Sequence, residues 1–155
     1  MSDRSPPDGV GVETATPDDR LDVLRVLDAA MLETDADGLI DRIDAGDVLV
    51  ARFERTGSVV GALVTTRPEP GRRHVDAVAV RRARRGRGIG SALVAGAVRA
   101  AESDPETDRV TAAFDAELEA FYVDLGFVIE STGDDDGGTR ISGRREVGAS
   151  TGGKD

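Results

Sequence analysis

The sequence predicts an α/β domain built on a mixed, mostly antiparallel twisted sheet, and three observations lead there. Two β-rich runs, Asp47 to Arg55 and Ser58 to Thr66, are joined by Arg55-Thr56-Gly57, a hairpin turn signal, so antiparallel pairing is the natural reading. A third run, Arg73 to Val80, feeds a loop of arginines and glycines and then an Ala-rich helix from Gly90 to about Glu102. Beyond it, strand and helix patterns alternate: Arg109 to Phe114, Ala116 to Leu125, Phe127 to Glu130 and Thr139 to Val147. With the N-terminal segments, this amounts to about six to seven strands and about four helices in one domain over residues 9–147.

The remaining elements follow from local signals. Residues 1–8 are polar and contain two prolines, and residues 148–155 are glycine-rich and polar; both are expected to be loose ends. Val10, Val12 and Thr14 alternate as a first strand. Thr16 then reads as an N-cap, Pro17 as a first helical residue, and Asp18 and Asp19 as acids in the first turn. Leu21, Leu24, Val26, Leu27, Ala30 and Met31 recur at helical spacing to about Leu32, which predicts an amphipathic helix on the sheet. Asp35 to Gly38 breaks it, and Leu39, Ile40 and Ile43 suggest a short second helix ending at Gly46. Pro68-Glu69-Pro70-Gly71 reads as a turn. In the Ala-rich helix either Leu93, Ala97, Ala100 and Ala101 or Val94 and Val98 face the sheet, and Asp104-Pro105 ends it. Gly126 reads as a left-handed helix terminator, and the stretch 134–138 as a polar hairpin loop. There is no internal repeat.

Composition narrows the function. A chain of 155 residues can bury about 70% of its unfolded surface as one domain, but with no Trp, one Tyr and four Phe its core must be aliphatic. The absence of cysteine removes disulfides, thiolate metal sites and a cysteine nucleophile, and no metal site is expected. No apolar run approaches the roughly 18 residues of a membrane span, and the first residues carry no apolar signal core, so a soluble cytoplasmic protein is expected. The formal net charge is -10, with a single lysine and no Asn or Gln. This resembles the carboxylate-rich composition of salt-accumulating halophiles, in which molar salt shortens screening to roughly 3 Å and relieves self-repulsion. The melting temperature should therefore be lower in dilute buffer than in molar KCl; equal values would count against halophilic adaptation.

Against that acidic background, Arg81, Arg82, Arg84, Arg85 and Arg87 crowd one loop together with Gly86, Gly88 and Gly90. Glycines let backbone N–H groups approach a ligand and permit positive φ. The helix that opens at Gly90 and Ser91 adds unpaired first-turn amides and the positive end of its dipole. Such a loop can cradle a phosphate. The nucleotide-triphosphate loop needs Lys-Ser/Thr after its last glycine, and Ile89-Gly90-Ser91 has no lysine. The dinucleotide pattern G-x-G-x-x-G meets Ser91 or Leu93 at its third small position and fails. What fits is Arg85-Gly86-Arg87-Gly88-Ile89-Gly90, which resembles the R/Q-x-x-G-x-G/A pyrophosphate loop of the GNAT family of acetyl-CoA-dependent N-acetyltransferases. Downstream, Phe121-Tyr122-Val123-Asp124-Leu125-Gly126-Phe127 resembles that family's A-x-x-L-Y-x-x-x-G-F segment, with Leu118 and Phe121 standing where Ala and Leu are usual. The resemblance, including element order, covers residues 9–147.

It implies a GNAT fold, acetyl-CoA as cosubstrate, and acetyl transfer to a primary amine by direct attack. The pyrophosphate is expected on the amides of Arg85, Gly86, Arg87, Gly88, Ile89 and Gly90, with Ser91 at the helix start. The carbonyl and pantetheine arm are expected on main-chain groups of Val78, Ala79 and Val80. Tyr122, the only tyrosine, occupies the family's general-acid position, and a phenol with a pKa of about 10 can protonate a thiolate. Asp115 stands seven residues before it, where the family often has Asn; it can accept a hydrogen bond from the cosubstrate but not donate one. For deprotonating the amine, His74 and Asp76 lie two apart on one strand face, and water relayed from main-chain carbonyls is an equal alternative. The acceptor stays open among protein N-termini, lysine side chains, polyamines, amino acids and antibiotics, all of them small-molecule or peptide amines. Dimers are common in the family, so a homodimer fits.

Three other readings compete. A non-catalytic acyl-CoA sensor on the same fold would bind without turnover. Nucleic-acid binding through the arginine loop is disfavoured by the net charge and by the lack of interleaved aromatics. A nicotinamide enzyme would find an acid at Asp108, but the order of elements is wrong for it.

Overall fold

The computed structural model describes residues 9–29, 36–81, 88–115, 119–135 and 138–147. Among the described residues, seven strands form one sheet in the order β1-β2-β3-β4-β5-β7-β6. In chain order these are β1 Val10–Thr14, α1 Arg20–Ala29, α2 Ala36–Asp44, β2 Val48–Phe53, β3 Val59–Glu69 and β4 Arg72–Val80. They are followed by α3 Ile89–Glu102, β5 Arg109–Asp115, α4 Glu119–Asp124, β6 Val128–Asp135 and β7 Gly138–Glu146. Strands β1 and β2, β2 and β3, β5 and β7, and β6 and β7 pair antiparallel, whereas β4 and β5 are parallel. The predicted mixed sheet with four helices is thus observed. Two compact units make up the chain, one from the described residues up to 66 plus 77–97, the other from 67–76 plus those from 98 onward.

In the first unit, both faces of β2 and β3 are covered, so their burial is continuous rather than alternating. Val48, Val50, Ala62 and Val64 share a core with Val23, Val26 and Leu27 of α1 and Leu39 and Ile43 of α2. Burying each of these larger aliphatic side chains contributes about 1.5–3 kcal/mol. On the opposite face Gly61 lies against Ile89 and Leu93 of α3. In the second unit Val110, Ala112, Phe114, Leu125, Phe127 and Ile141 are buried together with Tyr122 of α4, which contacts Phe114 and Phe127.

Several local expectations change. The first helix opens as a 3-10 turn, Pro17–Asp19, in which the Asp19 amide donates to the Thr16 carbonyl at 2.8 Å. Thr16 is its N-cap, Pro17 opens it and Asp18 and Asp19 lie in its first turn, as expected; Asp19 Oδ2 accepts from the Thr16 amide at 2.9 Å while Arg52 Nη2 donates to Asp19 Oδ1 at 2.8 Å. Leu21, assigned to the core-facing stripe, is exposed, and Val23 takes the core position, because the inward face is set by the α1 register that buries Val23, Val26 and Leu27 together. Ala30, Met31 and Leu32 lie outside the described residues. The predicted turn at Pro68 to Gly71 shrinks to Pro70-Gly71, since β3 continues through Glu69 and the positive φ needed falls on Gly71 alone. Likewise β6 reaches Asp135, so the loop at 134–138 shortens, with 136–137 outside the described residues. In α3 both proposed faces are buried: Leu93, Val94, Ala97 and Val98 are all core, because a helix of small residues fits closely on more than one side. Gly126 ends α4 with φ +96, as its sequence position predicts.

Candidate functional site

The glycine-loop expectation falls in the first unit. Strand β4 delivers Val78, Ala79 and Val80, with Ala79 buried and the other two half-buried. The end of β4 is tied down where the Arg81 amide donates to the Val60 carbonyl at 2.8 Å. Arg82, Arg84, Arg85, Gly86 and Arg87 lie outside the described residues. The chain is described again at Gly88, whose φ of +83 is left-handed and whose Cβ position has no heavy atom of the described residues within 4 Å. Its carbonyl accepts from the Ala92 amide at 3.0 Å, so it caps α3 from the front. Ile89, Gly90 and Ser91 then form the first turn, and their amides have no carbonyl inside the helix to pair with. The nearest heavy atom to a Cβ on Gly90 is Val80 Cγ2, at 3.9 Å. Strand end and helix start are therefore adjacent, and the space in front of Gly88 and Gly90 suits an anion held by main-chain N–H groups and the helix dipole.

A residue not singled out from sequence sets this arrangement. A Cβ on Gly61 would stand 3.2 Å from the Ala79 carbonyl oxygen, from Ile89 Cγ2 and from Leu93 Cδ1. Glycine at this point lets α3 close onto β3. Its signal was present, since a glycine inside an apolar strand marks close approach.

The other predicted residues lie in the second unit. Tyr122 is buried, its ring 4.0 Å from Phe114 and nearly parallel to it at 7°, with Phe121 and Phe127 edge-on at 4.9 and 5.2 Å. Packing on three sides fixes the phenol's direction. Asp115 ends β5 opposite Arg140, and its side chain lies outside what is described.

His74 and Asp76 sit on β4, His74 half-buried and Asp76 exposed. The parallel register places His74 beside Thr111 of β5. Its Nδ1 is 2.8 Å from Thr111 Oγ1, which also accepts from Arg72 Nε at 2.9 Å. Burial, and then the Arg72 guanidinium, hold the imidazole below its ordinary value of 6.5, against an opposing pull from Asp76. Around it is an open groove of about 830 Å³ lined by residues of β4, β5, β6 and β7 together with Glu69 at the end of β3 and Asp108 just before β5, all in this unit. Neither Thr111 nor Arg72 could be assigned from sequence, because the β4–β5 register is invisible there.

These shifts predict a pH profile. Because His74 binds its proton less readily folded than unfolded, stability is full above about pH 6.5 and declines as pH falls through that value toward the lower folded pKa. Asp104 is held below its usual 3.8 by the Glu106 amide and Thr107, so its contribution disappears only at more acid pH. Urea midpoints measured against pH should show the first decline in the parent protein and lose it in His74→Gln.

Among the described residues no group of three metal-ligating side chains occurs, and no helix is long and apolar enough to cross a membrane. No curated protein matches the chain. Solved structures match across nearly their whole length. Ard1 from Thermoplasma volcanium is 21% identical with a TM-score of 0.72, covering 90% of this chain and 98% of that one. An acetyltransferase of the GNAT family from Streptococcus pneumoniae is 16% identical with a TM-score of 0.74, covering 90% and 99%. A chain of the NatC complex bound to Gag peptide and CoA is 15% identical with a TM-score of 0.72, covering 89% and 98%. The profile described as "Acetyltransferase (GNAT) family" matches residues 18–127, which span α1, the glycine loop and the tyrosine-bearing helix α4. On that match, over more than half its length, the chain belongs to the GNAT acetyltransferase family.

Proposed function

We propose that the protein transfers an acetyl group from acetyl-CoA to the nitrogen of a primary amine in the cytoplasm, by direct attack. The observation that supports this is the junction of β4 and α3, where Gly88 at positive φ and the first turn of α3 leave main-chain amides without helical partners close to the end of a strand. Gly88, Ile89, Gly90 and Ser91 would hold the diphosphate through their amides, joined by Arg85, Gly86 and Arg87 of the same motif. Main-chain groups of Val78, Ala79 and Val80 would orient the pantetheine arm, and Asp115 would accept a hydrogen bond from it. Acetyl-CoA supplies an activated acyl carbon and a thiolate leaving group. Tyr122 donates its phenolic proton to the departing sulfur. With His74 Nδ1 engaged by Thr111, the amine proton goes to Asp76, exposed on the same strand, or to water.

Calorimetry in molar KCl tests the cosubstrate, and release of free thiol across a panel of small-molecule and peptide amines tests transfer. Binding followed by turnover is expected; indifference to CoA and its thioesters refutes the proposal. A second reading, an acyl-CoA sensor without turnover, draws on the burial of Tyr122 within three aromatic contacts. Tight binding with no amine acetylated would favour it. Oligomeric state is measured in the same preparation, where a homodimer fits the family.

A further inference from the structure

The hydrogen bonds around His74 fix which nitrogen carries its proton. Arg72 is a donor only, so its Nε–H must donate to Thr111 Oγ1 at 2.9 Å. Arg72 Nη2 also approaches His74 Nδ1 at 3.5 Å, and a guanidinium N–H can face that nitrogen only if it bears a lone pair. With Nδ1 as acceptor, the Thr111 hydroxyl donates to it at 2.8 Å and all three contacts are satisfied. The other tautomer would set Nδ1–H against a guanidinium N–H. The neutral ring therefore carries its proton on Nε2, which has no hydrogen-bond partner among the described residues.

That N–H belongs to a half-buried residue lining the groove over β4, β5, β6 and β7. The groove's other charges are already committed. Arg109 binds Glu69 at 2.6 Å and Asp108 at 2.7 Å, and Arg144 binds Glu146 at 2.9 Å and Glu130 at 3.3 Å. Three arginines thus face four carboxylates, and an incoming carboxylate would meet excess negative charge. A neutral carbonyl oxygen would not.

We infer that Thr111 and Arg72 are positioning residues that lock His74 as an Nε2–H donor, and that this donor selects an acceptor amine carrying a neutral amide carbonyl, as a peptide does. The inference rests on the reading of the chain as an amine acetyltransferase whose acceptor enters this groove. It gives His74 a recognition role in place of proton abstraction. The groups that bear on its ring are Arg72 and Asp76 on β4 and Thr111 on β5, while the charged residues Glu69, Asp108, Arg109, Glu130, Arg144 and Glu146 line the same groove.

As the only histidine, His74 can be read without assignment in protein labelled with ¹⁵N-histidine. Long-range ¹H–¹⁵N spectra above about pH 7 should show an unprotonated Nδ1 and a protonated Nε2. Thr111→Val should release the ring to a mixture of tautomers, and Thr111→Ser should restore the lock. A protonated or mixed Nδ1 in the parent overturns the inference, whatever the enzyme's activity. Glycylglycinamide should shift the Nε2–H resonance where butylamine and glycylglycine at equal concentration do not; equal shifts or none overturn the recognition role. In turnover, Thr111→Val should raise KM for glycylglycinamide about three- to tenfold relative to butylamine, with kcat for butylamine unchanged. A loss common to both amines would overturn selection by the amide. Failure of all acetyl transfer, with the tautomer and the amide shift intact, would instead refute the enzymatic reading alone.

Discussion

Replacing Tyr122 by phenylalanine is expected to slow turnover about 10²- to 10⁴-fold while leaving acetyl-CoA affinity and melting temperature close to those of the parent. The phenyl ring keeps the face-to-face contact with Phe114 and the edge contacts with Phe121 and Phe127, so only the hydroxyl is lost. Tyr122→Ala should behave differently. It removes a buried ring from the second unit's core and costs about 3–5 kcal/mol of stability, so lost activity in that variant says nothing about proton transfer. Steady-state rates of thiol release, read beside calorimetric affinity and thermal melts, separate the two effects. Undiminished turnover in Tyr122→Phe would leave Tyr122 a packing residue and move proton donation to solvent.

Gly61→Val should lower stability by about 1–3 kcal/mol and weaken acetyl-CoA binding by roughly tenfold or more, although Gly61 lies on a strand outside the glycine loop. A Cβ alone at this position would sit 3.2 Å from the Ala79 carbonyl, Ile89 Cγ2 and Leu93 Cδ1, and valine adds two further methyl groups. Of these neighbours the Ala79 oxygen belongs to strand backbone, so the more yielding response is for α3 to move away. Ile89 opens α3, and its displacement shifts the first-turn amides from the place where the diphosphate is to be held. Adding Leu93→Ala to Gly61→Val should recover part of the lost affinity by making room, a coupling that a double-mutant cycle measures. Affinity unchanged in the single variant would show that α3 tolerates the bulk without moving its N-terminus.

The order and type of the elements were legible because each rests on short-range physics. Pro17 and the acids after it mark a helix start, Gly126 sits where the chain must turn left-handed, and the apolar runs 48–53 and 59–65 read as strands whatever packs on them. The glycine motif and the Tyr122 segment likewise stand in fixed order in the sequence, and the family match spans both. Boundaries were less legible: β3 runs through Pro68 and Glu69, and β6 through Asp134 and Asp135, because sheet pairing extends strands into residues that favour turns when isolated.

What only tertiary structure decided is which faces meet. The pattern of α1 admits Leu21 as a core residue, yet it is exposed, since helical spacing gives a stripe but not the angle at which a sheet receives it. Strand alternation puts His74 and Asp76 on one side of β4, but the Thr111 hydroxyl that sets the imidazole's proton comes from β5, 37 residues away and brought alongside by the parallel register. Covalent order dictates elements and motifs through interactions a few residues long. Tautomer, pKa and close approach depend on neighbours from distant segments, and these exist only once the strands have paired.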